Sequence, residues 1–211
     1  DTREESKIEE NNKEIKQWKR IEVLKDYRFY IICMTMLAMP WIATGSFVYQ
    51  SFISSSKEWG PYVIAQSFMA YSILSVITLF ISGFLIDKFS SRKLLIYMNI
   101  PLLFGTIVLY YFNAPLSSFV FFGLVGVTNG LANVLGSSTW AEIYGVKYIG
   151  SIKALTTALM VFSTAFGTAL FGFLIDIGFS IEDIAVVSGT YIFGSIILLY
   201  LVKNKLNPHY L

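Results

Sequence analysis

Gly83-Phe84-Leu85-Ile86-Asp87-Lys88-Phe89-Ser90-Ser91-Arg92-Lys93 closes one apolar run and opens the next. Residues 62–86 on one side and 94–112 on the other contain no charged side chain. Each run is near the ~20 residues that cross ~30 Å of hydrocarbon at ~1.5 Å per residue. A charged turn between two such runs reads as helix, loop, helix in a bilayer. A membrane barrel would instead show ~10-residue segments alternating apolar and polar.

Four more apolar runs fall at 28–52, 116–140, 152–176 and 184–202. The breaks carry turn chemistry or charge: Lys57-Glu58-Trp59-Gly60-Pro61, Asn113-Ala114-Pro115, Glu142 to Gly150, and Asp176 to Asp183. The expected fold is an all-α membrane protein of six transmembrane helices. Residues 1–26 form a polar cytoplasmic linker, 27–203 the bundle and 204–211 a cytoplasmic tail. In the linker, Ile8, Ile15, Trp18 and Ile21 recur at spacings that suggest a weakly amphipathic helix beneath the membrane, the alternative being a solvated linker.

Composition agrees. The 211 residues are 55% hydrophobic and only 14% charged, against roughly 25% charged in an ordinary soluble domain. Eight of sixteen Lys/Arg and eight of fourteen Asp/Glu lie between Asp1 and Arg28, so the remainder is nearly uncharged. Mixed local charge leaves no basic groove for nucleic acid. The one cysteine, Cys33, sits in an apolar run and reads as a packed thiol.

Lys and Arg in the short connections orient such a chain. Lys88, Arg92, Lys93, Lys147, Lys153, Lys203 and Lys205 fall on one side and only Lys57 on the other, which makes both termini cytoplasmic. The pentapeptide Gly83–Asp87 recurs unchanged as Gly172-Phe173-Leu174-Ile175-Asp176, eighty-nine residues on. The copies end the second and fifth helices on opposite sides of the membrane, the relation of two three-helix repeats with inverted topology. Each leaves a carboxylate at a helix C-terminus, where the dipole disfavours it unless a cation or another helix end compensates.

Gly83-x-x-x-Asp87-Lys88-x-Ser90-Ser91-Arg92-Lys93 resembles the cytoplasmic loop signature of the major facilitator superfamily, which joins the second and third helices of each half. That family usually has Gly where Ser90 stands and a basic residue where Ser91 stands, a looseness common in C-terminal halves. The stretch from Trp140 to Lys153 resembles the corresponding loop of bacterial members related to monocarboxylate carriers, and the polar leader resembles the family's central loop. The resemblance implies the C-terminal half of a secondary transporter in a bacterial inner membrane. Six further helices would precede Asp1 as its partner half, and a small solute, with or without a coupled ion, would move by alternating access.

Gly83, Asp87, Lys88, Arg92 and Lys93, with Glu142, Lys147 and Lys153 at the same face, are candidates for a gate of interhelical ion pairs; the alternative is that the cations only set topology. No helix centre carries a charge, so any ionic solute contact is expected from the missing half. The cavity candidates are polar. Asn129 and Asn133 share a face at i, i+4, serving either a cavity wall or helix association through Gly123, Gly126 and Gly130. Trp41, Thr44, Tyr49 and Gln50 follow Pro40, a potential kink, and Gln66 lies on the second helix; Tyr49 and Trp59 also read as interface-belt aromatics. Tyr71, Thr164 and Thr168 are lesser candidates.

An enzyme is not expected. The only histidine is His209 in the tail, and neither a metal-ligand cluster nor a phosphate-binding Gly-rich loop is present, so no cofactor is called for. The competing reading is a non-transporting six-helix membrane protein such as a receptor or assembly subunit.

Overall fold

A computed structural model describes residues 16–60 and 62–208. Ile8, Ile15, Pro61 and His209 lie outside the described residues. After a short α1 (Arg20–Lys25), α2 runs unbroken through Pro40 from Tyr27 to Val48 and is followed by α3 (Gln50–Ser56). The second span is α4 (Val63–Phe89). The third runs from Ser91 to Tyr111 as α5 (Ser91–Leu94), a 3₁₀ turn and α6 (Ile100–Tyr111). The fourth to sixth spans are α7 (Pro115–Tyr144), α8 (Ile149–Asp176) and α9 (Ile181–Val202). Six segments are therefore long and apolar enough to cross a membrane, and among the described residues there is no strand.

Local chemistry sets the boundaries. Asp26 caps α2 by accepting from the Arg28 N–H at 3.0 Å, Pro115 occupies the first turn of α7, and Ser180 caps α9 reciprocally with Asp183. Gly145 and Gly178 follow α7 and α8 with φ of 82° and 91°, conformations that glycine adopts freely. The break expected from Glu142 to Gly150 is shorter than the sequence indicates. Helix continues to Tyr144 and resumes at Ile149, so Glu142 and Gly150 are both helical.

The spans pack in the order second, fourth, third, sixth, first, fifth. Exchanging the first three spans for the last three returns the same order reversed, as two inverted three-helix repeats require. The two equivalent outer pairs use small residues. Gly126 and Gly130 of α7 lie directly against the backbone carbonyls of Tyr71 and Ser75 on α4, and Gly167 of α8 lies against the Trp41 carbonyl on α2. Hydroxyls cross the same seams: Ser67 to Ser118 at 2.8 Å, and Ser163 to the Leu37 carbonyl at 3.0 Å.

Two apolar clusters fill the interior. One, around Trp41, Phe121, Phe122 and Phe171, holds the half away from the termini. The other, around Phe29, Leu95, Met98, Trp140 and Ile143, holds the half beside them. Between the clusters, Asn99 Nδ2 donates to the Thr35 carbonyl at 2.6 Å. Met69, Ile73, Phe80 and Phe84 on α4 and Val161, Phe162 and Phe173 on α8 are exposed, the distribution of a lipid-solvated protein.

Candidate functional site: a polar cavity between two clasped ends

Asn129, Asn133 and Ser137 of α7, Lys153 and Thr157 of α8, and Cys33 and Pro40 of α2 line a cavity of about 270 Å³. It extends from mid-span, at Pro40 and Asn129, to the end of the bundle that carries Lys88, Arg92 and Lys93, here called the basic end. Asn129 Nδ2 donates to Ser75 Oγ of α4 at 2.8 Å, and Asn133 Nδ2 to the Asn129 carbonyl at 2.9 Å. Asn129 thus associates helices and borders the cavity at once. A side chain at Gly136 would meet nothing within 4 Å, so the wall is open there. Lys153 is exposed to this space and makes no ion pair among the described residues.

At the basic end, Glu142 gathers the start of the third span. Its carboxylate accepts from Ser90 Oγ at 2.6 Å, from the Ser91 N–H at 2.9 Å and from the Arg92 N–H at 3.3 Å, and pairs with Arg92 Nε at 2.9 Å. Arg92 Nη1 continues to Asn207 Oδ1 at 2.9 Å. Ser90 holds φ 71° and ψ 138°, a region essentially reserved for glycine that costs ~1–3 kcal/mol for other residues. Glycine is the residue the family's loop usually has there. The serine hydroxyl offsets the strain through its bond to a carboxylate, worth ~1.5–3 kcal/mol. Ser90→Gly, losing both, is expected to melt close to the parent protein. Ser90→Ala, keeping the strain and losing the bond, is expected to melt clearly lower; equal melting temperatures would contradict this balance.

Asp87 and Lys88 are exposed and make no ion pair among the described residues, nor does Asp176. The ion pair of this loop is Arg92–Glu142, without Asp87, whose side chain is exposed. A side chain at Gly83 would meet nothing within 4 Å. Lys93 and Lys147 are exposed, and the Lys147 N–H donates to Gln17 Oε1 at 2.9 Å.

Beside this loop a second clasp joins both flanks of the bundle. The buried Arg28 pairs with Asp26 at 2.7 Å and donates to the carbonyls of Lys205 at 2.9 Å and Asn207 at 3.0 Å. The Tyr144 hydroxyl donates to Asp26 at 3.2 Å, and Trp18 packs edge-on against Tyr144 while the Trp18 backbone N–H donates to the Tyr144 carbonyl. The linker's last residues therefore dock on α7, with Trp18 and Val23 turned inward. Ile21, expected on the apolar side, is exposed. Glu22 accepts from the Lys19 N–H at 2.8 Å and lies 3.1 Å from Lys16, which together hold its carboxyl below its ordinary pKa.

The opposite end has its own clasp. The Lys57 side chain is 0% exposed and reaches Glu182 at 2.6 Å and Asn113 Oδ1 at 2.8 Å, joining the ends of the first, third and sixth spans. Trp59 Nε1 donates to the Asn113 carbonyl at 2.7 Å. Trp59 is therefore buried in the clasp and is not an interface-belt aromatic.

The remaining candidates do not line the cavity. Trp41 is buried among Phe166, Phe171 and Tyr191, Tyr49 stacks on Phe171, Thr44 and Gln50 are half-buried, and Gln66 is exposed on α4. The turn of α2 after Pro40 packs into the core instead of facing a passage. Tyr71 packs on Phe47, and Thr164 and Thr168 bond to their own helix. Lys153, expected with the basic-end gate, lines the cavity instead, while Lys57 and Arg28 were missed as structural groups. Their charge alone marks them as topological, and only an apolar residue count placing them within a helix turn of the run would have drawn attention to them.

A comparison with curated proteins gives no match. The sequence pattern of the Major Facilitator Superfamily matches residues 30–209, from the first turn of the first membrane segment to beyond the sixth. The chain belongs to the major facilitator superfamily of transporters.

Proposed function

We propose that this chain is the C-terminal half of a secondary carrier that moves a small solute by alternating access. In this reading residues 1–26 are the end of the central loop, six further helices precede Asp1, and both flanks are cytoplasmic in a bacterial inner membrane, as seven basic residues against one favour. The observation that carries the reading is the cavity between α2, α7 and α8, running from mid-span to the basic end. Solute sites of such carriers lie near the midplane, facing the partner bundle.

The clasps at the two ends tie together spans that are not neighbours in sequence, so the bundle rocks as one body. The Asn133 amide and the Lys153 ammonium suit a solute with a carboxylate or another strong hydrogen-bond acceptor. The solute's own gradient or that of a coupled ion supplies the energy. An antibody against residues 203–207, applied to native membranes, tests the half-carrier reading. The expected species is roughly twice this chain, with about twelve spans. A species no longer than this chain would overturn it.

A further inference from the structure

The third and sixth spans meet on the side of the bundle away from the cavity, and their seam is open at the basic end. Arg92 and Lys93 at the head of the third span and Lys203 at the foot of the sixth rim a groove of about 700 Å³, walled by Ile96, Ile100 and Ile196. No carboxylate lines it. Lys93 and Lys203 make no ion pair among the described residues; the Lys203 ammonium instead sits 3.5 Å over the Tyr200 ring. Tyr97 and Tyr200 are exposed at the same level, where amphipathic rings mark the headgroup region. Further along the seam, toward the opposite end, a second groove of about 460 Å³ runs between Leu103 and Ile107 on one wall and Val186 and Phe193 on the other.

Two ammonium groups with no acid partner among the described residues, above apolar grooves that follow the seam, match one occupant: a molecule with an anionic head and a long apolar tail. We propose that this seam binds an anionic phospholipid, its phosphate held by Lys93 and Lys203 and its acyl chain laid along the contact between the third and sixth spans. Arg92 is engaged by Glu142 and Asn207, so it fixes the rim and the two lysines supply the free charge. A lipid there bridges the first repeat to the second at their shared pseudo-symmetric contact, independently of the solute cavity.

The test uses the purified intact protein in detergent, titrated with phosphatidylglycerol or phosphatidylcholine while melting temperature and bound lipid by native mass spectrometry are read. Phosphatidylglycerol is expected to bind and raise the melting temperature, with phosphatidylcholine, inorganic phosphate and glycerol phosphate having little effect. The Lys93→Gln/Lys203→Gln variant is expected to bind phosphatidylglycerol roughly tenfold more weakly or worse, with unchanged melting in phosphatidylcholine. The Lys88→Gln/Lys147→Gln variant, which removes equal charge at the same end but outside the groove, keeps the parent's affinity. Equal loss in both double variants would reduce the effect to general surface attraction and overturn the site. Equal stabilisation by inorganic phosphate, or undiminished lipid binding by Lys93→Gln/Lys203→Gln, would overturn it as well.

Discussion

Gly126→Val and Gly167→Val are each expected to abolish recovery of a monodisperse protein. A side-chain carbon at Gly126 would overlap the Tyr71 carbonyl, and one at Gly167 the Trp41 carbonyl. Backbone cannot turn aside as a flexible side chain can. Overpacking a tight interior costs ~1–3 kcal/mol where neighbours can shift, and more is expected here because two helix axes must separate. In lipid no hydrophobic drive pulls the helices back together, since the tails are as apolar as the side chains they would replace. The helix pairs affected, α4 with α7 and α2 with α8, are equivalent under the repeat, so the two variants should fail alike. Gly83→Ala and Gly194→Ala, where nothing lies within 4 Å, serve as controls and should elute as the parent does. Size-exclusion elution and thermal unfolding of the four variants give the answer; a well-folded Gly126→Val would mean that the seam is looser than described.

Lys153→Gln is expected to cut uptake of an anionic solute by the intact carrier about 10- to 100-fold at low solute concentration. That range corresponds to the ~1.5–3 kcal/mol of a hydrogen bond to a charged group. Lys153 is exposed to the cavity and pairs with no acid among the described residues, so its removal leaves no buried orphan and the fold should hold. Lys153→Arg should retain most of the activity. A steric counterpart is available at Gly136, which borders the same space and has nothing within 4 Å of a side-chain position. Gly136→Ile should obstruct the cavity while leaving melting close to that of the parent. If Lys153→Gln transports as the parent does but Gly136→Ile does not, the cavity is used and the solute is not held by its ammonium.

The number and order of the spans were legible because ~20-residue apolar runs have few other uses. Their ends were less so. The fourth run was ended at Trp140, yet Glu142 still turns with α7, since a charge in a terminal turn can reach water or a neighbouring helix end. The i, i+4 spacing of Asn129 and Asn133 correctly put them on one face. What Trp41 and Tyr49 face depends on the rotation of α2, which its pattern does not define because the helix is apolar all round. The Lys57–Glu182 contact spans 125 positions, and no local signal links such partners. The family's loop glycine was readable as a departure at Ser90, but only the positive φ explains why glycine belongs there and how Glu142 makes serine tolerable.

In the proposed carrier the space beside Asn133 opens alternately to the two sides of the membrane. This is tested most directly by Asn133→Cys in a Cys33→Ala background of the intact protein, labelled with a membrane-impermeant maleimide in right-side-out and in inverted vesicles. Cys33 must be replaced because it lines the same cavity and is the chain's one cysteine. The expected result is labelling from both sides, with a transported solute slowing one rate and not the other. Labelling from one side alone under every condition, or from neither, would contradict alternating access through this cavity.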